Sequence, residues 1–354
     1  MPTLTRKELA AALIQSGPKP RLGGVDLSGL NLDGFDFSNA LLIRANLSDC
    51  NLREAFFNDC DLRGAILVGA QLQRAWFQGI LTEVDFSGCN LSNATLTGST
   101  LSHSLFKRAT LTEASFQAAQ LNGARLEGAD CKQANFSKAN LSKADLTAAD
   151  LKGADFSHAD LHNANLGNAN LERSVLRQAN LKQSRLRGLI AKFTVFEEAQ
   201  LGGTSFCDSR LESSIFHKAN GENIDFCGAQ LRDCDFTEAL FQGVNFSMLD
   251  LGGCSFSKAT LTEGRFEKVE GDAVSFNQSS LHHADFTEAN LPNAVFRGAN
   301  LIDARFEGAD LSGADFRDAD LTGCNFLRAN LMGADLRGAT TTQAKLPKIG
   351  IYKV

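Results

Sequence analysis

Proline is scarce in this chain, with five residues in 354, and Trp and Tyr occur once each. Together with an apolar fraction of 43%, that scarcity excludes a collagen-like or disordered chain. No run of about 18 apolar residues occurs, so no helix is expected to cross a membrane. The opening MPTLTRKELAAALIQSG lacks the apolar core and small-residue cleavage site of a secretory leader, and the expected compartment is the cytoplasm. Motifs of reaction chemistry are also missing: there is no G-x-x-x-x-G-K-[ST] and no G-x-S-x-G. The six histidines (103, 158, 162, 217, 282 and 283) have no cysteine or carboxylate framework at metal-ligand spacing. The expectation is a chain without catalytic residues, cofactor or metal, and so not an enzyme.

What fills the sequence instead is repetition. From residue 284 it divides without a gap into ADFTE ANLPN AVFRG ANLID ARFEG ADLSG ADFRD ADLTG CNFLR ANLMG. Each five opens with a small residue, continues with a small polar one, and places Leu or Phe third; that third position is the centre. Centres begin at Leu27 and recur every five residues to Phe77, where the register slips once. The next centre is Leu81, and the spacing of five then holds to Leu336. A repeat this short overrides the usual expectation of two or three ordinary domains.

A second period lies inside the first. Before the slip the Phe centres are Phe37, Phe57 and Phe77, twenty apart. After it, two columns carry nearly all of them, one running from Phe86 to Phe326 and the other from Phe116 to Phe316, while the columns between are nearly all Leu. Four fives per turn explain this, with Phe on two opposite walls of a square coil. The prediction is an all-β quadrilateral β-helix over 25–340 with the register slip at 77–81, preceded by an N-terminal helix and linker (1–24) and followed by a C-terminal tail (341–354). At about 4.8 Å per coil its length is on the order of 75 Å. The centre and the small first residue should face inward, and no single coil buries enough to stand alone. Undersized centres at Cys131, Ala191, Gly221 and Gly271 should leave local dents.

Thr5 and Glu8 form a capping-box pattern, which places a helix start there. Leu9, Leu13 and Ile14 should share its buried face, Gly17, Pro18 and Pro20 should end it near residue 16, and its role should be to cover the first coil. Cys50, Cys60, Cys89, Cys234, Cys254 and Cys324 fall in the small first position, where a thiol acts as a slightly enlarged Ala. Cys207 and Cys227 each follow a centre and sit one coil apart, within disulfide range; a reducing compartment would keep them free.

These fives resemble the pentapeptide-repeat family, whose motif A(D/N)LXX stands verbatim in ANLSK, ADLTA, ADLSG and ANLMG. The resemblance implies a right-handed coil and, by itself, little about function. Some members of the family resemble duplex DNA to type II topoisomerases, so charge distribution bears on the role. Residues 221–325 hold 18 Asp/Glu against 7 Lys/Arg, whereas residues 1–220 are close to neutral. That segment would span about 25 Å, over which duplex DNA carries roughly 15 charges; over the whole coil the chain falls far short of DNA.

Outward apolar residues favour a different role. On one wall the second position reads Asp36, Phe56, Trp76, Thr95, Ser115, Asn135, Asp155, Val175, Val195, Ile215, Asp235. Phe56 with Trp76 makes one apolar ladder, and Val175, Val195 and Ile215 make another, flanked by Ile190 and Phe193. Clustered outward apolar groups mark contact surfaces. The leading expectation is a protein-binding scaffold or adaptor with a protein partner and no direct nucleic-acid or membrane binding; a homodimer through this wall is the alternative use. The opening segment is also similar to pentapeptide-repeat proteins associated with bacterial type VI secretion, which implies an accessory role there. A DNA mimic and a secreted effector are the competing expectations.

Overall fold

The computed structural model describes residues 2–15 and 17–347. They form two compact units, 2–179 and 180–347, built on one plan.

In the first unit, helix α1 spans Arg6–Gln15. The capping box is formed: the Thr5 amide donates to Glu8 Oε2 at 2.8 Å, and the Glu8 amide donates to Thr5 Oγ1 at 3.3 Å. The Thr5 backbone amide most of all, and then the Thr5 hydroxyl, which donates to Glu8 Oε2 at 2.8 Å, hold the Glu8 carboxyl below its ordinary pKa. The helix is tied to the coil beneath it by the Thr3 amide on the Asp26 carbonyl (2.7 Å) and by Arg6 Nη1 on the Asn31 carbonyl (3.0 Å). Its expected apolar face is only partly used. Leu9 is fully buried and Leu13 half-buried, but Ile14 is exposed; ten residues resting on the end of a narrow coil have room to bury one side chain fully.

Beyond the helix, parallel ladder contacts join residues twenty apart in four successive columns: Asp26 with Asn46, Asn31 with Asn51, Asp36 with Phe56, and Leu41 with Asp61. These are the four walls. Pairing starts at Arg21 with Leu41, one five before Leu27, and in the second unit it runs to Asn325 with Lys345. Between walls the chain turns in the two residues after each centre. The amide of the next first residue donates to the centre carbonyl, as Ala40 does to Phe37 at 2.9 Å. The second turn residue has positive φ while the first does not, the pattern of a type II turn. Asp or Asn in the second position then accepts from the amide two residues ahead, as in Ser38 to Asp36 (2.9 Å) and Arg317 to Asp315 (3.0 Å). The recurring polar residue is therefore an Asx-turn former.

Both inward positions are filled. Leu and Phe centres and first-position Ala residues are almost entirely buried in both units. Phe rings stack along each column, 4.8 Å apart for Phe306 and Phe326, and meet the opposite column edge to face, as Phe306 does Phe316 at 87°. Where Cys replaces the first Ala, its Sγ donates to the centre carbonyl of the coil below, as Cys60 does to Phe37 (2.8 Å); Ser either does the same, as Ser104 does to Leu81 (2.7 Å), or donates to the preceding centre of its own coil, as Ser184 does to Leu181 (2.6 Å). Burial pushes the Cys60 thiol up to about 12, so such thiols stay protonated.

Ala314→Leu should therefore destabilise the protein by about 1–3 kcal/mol through overpacking, seen as a lower midpoint in denaturant titration. An unchanged midpoint would mean that the first position does not face the core.

Candidate functional site

The places where the repeat fails are where the surface acquires features. At the slip, strands β1 (Phe56–Asp61) and β2 (Trp76–Ile80) pair in parallel. Phe56 faces Trp76, Phe57 faces Phe77 and Asn58 faces Gln78, but Cys60 faces Gly79, leaving Asp59 unmatched. The residue deleted from the upper coil is thus the positive-φ turn residue. Without it the chain cannot turn, and wall and corner become one extended strand. Gly79 holds the inward first position there, and a Cβ on it would lie 2.4 Å from the Cys60 carbonyl oxygen. Only glycine fits.

Alternation along β2 sends Trp76, Gln78 and Ile80 outward and Phe77 inward. Trp76 is 51% exposed, Ile80 44% and Phe56, below Trp76, 41%. Trp76 and Ile80 stand about 13 Å apart on a single strand. Beside them lies a shallow groove of about 420 Å³ lined by Arg53, Glu54, Gln73, Arg74, Ser92 and Asn93. Arg74 pairs with Glu54 at 3.4 Å, an exposed and weak ion pair.

Val175 lies half-buried in the first unit, in the ladder above Asp155. The second unit brings Val195 against Ile215; Val195 is half-buried and Ile215 is 38% exposed. Ile190 stands half-buried on the adjacent wall beneath Arg210. Phe193 is 52% exposed and occupies a turn position with φ of 57°, a conformation unfavourable for a bulky side chain. The sequence reading missed Ile80 and Leu240, both outward and exposed. Ile80 was detectable, because a centre at Leu81 makes it a second-position residue.

Two of the undersized centres open grooves in the second unit. Gly221 sits in β3 (Asn220–Glu222), paired with β4 (Leu240–Gln242). The wall pinches inward there: a Cβ on Gly221 would lie 2.6 Å from the Gly202 backbone nitrogen. The resulting hollow of about 840 Å³ is bounded by Lys182, Gly202, Glu222, Asn223, Leu240 and Gln242. Gly271 floors a second hollow of about 430 Å³, with Asp250, Glu270 and Asp272 on its rim. Cys131 and Ala191 are fully buried, and the turns that follow them are regular. Among the described residues, no group of three His, Cys, Asp or Glu could hold a metal, and no helix is long and apolar enough to cross a membrane.

Profiles of known families decide what the coil is. One for pentapeptide repeats matches at residues 21–58, 45–88, 222–257, 279–318, 299–338 and 311–346, and one for a pentapeptide repeat region matches 79–156 and 99–176. Together these cover well over half of the sequence. The chain belongs to the pentapeptide-repeat family. Each unit is accordingly a right-handed quadrilateral β-helix. Among solved structures, this pentapeptide-repeat protein is similar to HetL of the cyanobacterium Nostoc, described as involved in heterocyst differentiation regulation, at 30% identity over 59% of this chain and 90% of HetL, with a TM-score of 0.36. A pentapeptide-repeat protein of the Arabidopsis thaliana thylakoid lumen is 34% identical over 30% of this chain and 68% of its own, with a TM-score of 0.19. The plasmid-mediated fluoroquinolone resistance protein QnrB1 is 19% identical over 54% of this chain and 89% of its own, with a TM-score of 0.26. No curated protein matches the chain.

The close approach at Gly221 makes a direct test of the pinch. Gly221→Ala should cost about 1–3 kcal/mol, because the new methyl meets backbone. Gly202→Ala, whose Cβ would find its nearest neighbour at 3.8 Å, should stay within about 0.5 kcal/mol of wild type. Equal midpoints for the two variants in chemical denaturation would refute the pinched geometry.

Proposed function

We propose that this pentapeptide-repeat protein is a non-enzymatic scaffold that docks a protein partner on the flattened face at the register slip. The observation that supports the reading is the outward cluster of Phe56, Trp76 and Ile80 on paired strands, with Arg53 and Arg74 beside it. Trp and Arg dominate the energetics of protein interfaces, because each buries a large area while keeping a polar or charged end to fix orientation. The cluster is presented by backbone that is paired on both sides, so little conformational entropy is lost on docking. Phe193, Val195 and Ile215 form a second apolar surface suited to the same use.

A mimic of duplex DNA acting on a type II topoisomerase is the second reading, favoured by the acidic stretch 221–325. Several of its seven cations are already engaged with carboxylates, Arg232 with Asp250 at 2.9 Å and Arg305 with Asp285 at 3.3 Å among them, which leaves a clear acidic excess.

Affinity capture from a bacterial lysate with wild type and with Phe56→Ser/Trp76→Ser separates the two. A partner held by wild type should be lost with the double variant, by about 100-fold or more in Kd if these are hot spots, while the variant's thermal midpoint stays near wild type. Purified partner should also shift Trp76 emission, the protein's only Trp signal, to the blue. Retention of a topoisomerase by both proteins would replace the scaffold reading with the mimic; equal retention of every other partner would remove the Phe56/Trp76 face from the function.

A further inference from the structure

Nine cysteines are present, and seven are buried. The other two, Cys207 (half-buried) and Cys227 (exposed), occupy the same place in consecutive coils of the second unit. Hydrogen bonds bracket them on the ladder: the Phe206 amide donates to the Asp225 carbonyl and the Asp208 amide to the Cys227 carbonyl, both at 2.8 Å. Their Cα atoms are thus ladder neighbours about 4.8 Å apart, inside the range a disulfide spans. The buried pair Cys234 and Cys254 has the same one-coil spacing in the first-position column, where each thiol donates to a carbonyl, of Leu211 (3.1 Å) and Leu231 (3.0 Å) respectively. The two pairs differ in access to solvent.

We propose that Cys207 and Cys227 form a modification site that reacts with small disulfides and closes to an inter-coil disulfide. Cys227, the more open thiol, attacks as thiolate on a sulfur of the small disulfide R–S–S–R, and one RS⁻ leaves. Cys207 then loses its proton to solvent, and its sulfur attacks Cys227 Sγ in the mixed disulfide, expelling the second RS⁻. Two protein thiols are oxidised and one small disulfide is reduced to two thiols. The order follows from the surroundings. Cys207 Sγ lies 3.2 Å from Asp225 Oδ2, and burial and that carboxylate both disfavour its thiolate, which suits it to the second, intramolecular step.

The site also has a structural consequence. The chain between the two cysteines contains Gly221, the centre with no side chain, and Glu222 and Asn223 of the groove wall. This coil lacks one of its four core side chains, and the cross-link staples it.

The test uses the fully reduced native protein and oxidised glutathione. Peptide mapping without reductant should find Cys207 joined to Cys227, with the mass lower by two hydrogens and Cys234 and Cys254 still thiols. Cys207→Ser should stop at a glutathione adduct on Cys227, and Cys227→Ser should react at least about tenfold more slowly than wild type. Hydrogen exchange at 220–223 should slow in the oxidised wild type. Stable glutathione adducts on wild-type Cys227, dimers linked through Cys227, absence of reaction, or equal oxidation of Cys234 and Cys254 would each overturn the proposal.

Discussion

Everything in this structure depends on how little room lies inside the coil. Each wall contributes one small residue and one Leu or Phe to the interior, and the width that results admits nothing else. The small residue has to be small because the centre carbonyl of the coil below lies directly against it. Ser and Cys are accepted at that place because they can bond the carbonyl, as Ser104 bonds Leu81 and Cys60 bonds Phe37. The same proximity explains Gly79: once the turn residue is deleted, the inward position is drawn against Cys60 and even a methyl group is too much. Ladder hydrogen bonds then fix the rise per coil, and stacked Phe rings about 5 Å apart match that rise, so packing and backbone pairing reinforce each other.

The periodic part of the fold was legible because it is written in residue volume. The five-residue period, the twenty-residue coil, the two Phe columns and the location of the slip all follow from where large and small apolar residues fall. Features set by backbone geometry were less accessible. The sequence places the missing residue near 77–81, but that it is the turn residue, and that the corner straightens into a strand carrying Trp76 and Ile80 on one face, depends on φ values and strand pairing. Gly221 and Gly271 could be read as dents; whether the wall would collapse inward or leave an internal void could not, since both relieve the same missing side chain. The helix shows a similar division. Thr5 and Glu8 encode its start in local hydrogen bonds, whereas the exposure of Ile14 reflects the area available on the coil end. Of the expected C-terminal tail (341–354), residues 348–354 lie outside the described residues.

The candidate surfaces follow a comparable rule. Outward apolar residues are identifiable once the register is known, and Phe56, Trp76, Phe193 and Ile215 stand exposed. Val175 of the first unit and Ile190 and Val195 of the second are half-buried, each beside a ladder neighbour within its own unit, Asp155, Arg210 and Ile215 respectively. For a docking surface the distinction matters. A half-buried Val contributes less new area to an interface than an open Trp.

A coil made of identical fives repeats the same wall at every level, and a partner that binds one level binds the next almost as well. Specific recognition requires that this translation be broken. The deletion at 77–81 breaks it by merging a wall with a corner, which puts Trp76 and Ile80 on one strand at a spacing that regular coils do not reproduce. The glycine centres break it by subtraction, replacing a filled wall with a hollow whose floor is backbone at Gly221 or Gly271. Where the repeat is intact, Leu, Phe and Ala side chains fill the core. The positions that cost the coil some of its packing are therefore also the ones that can tell a partner where to bind.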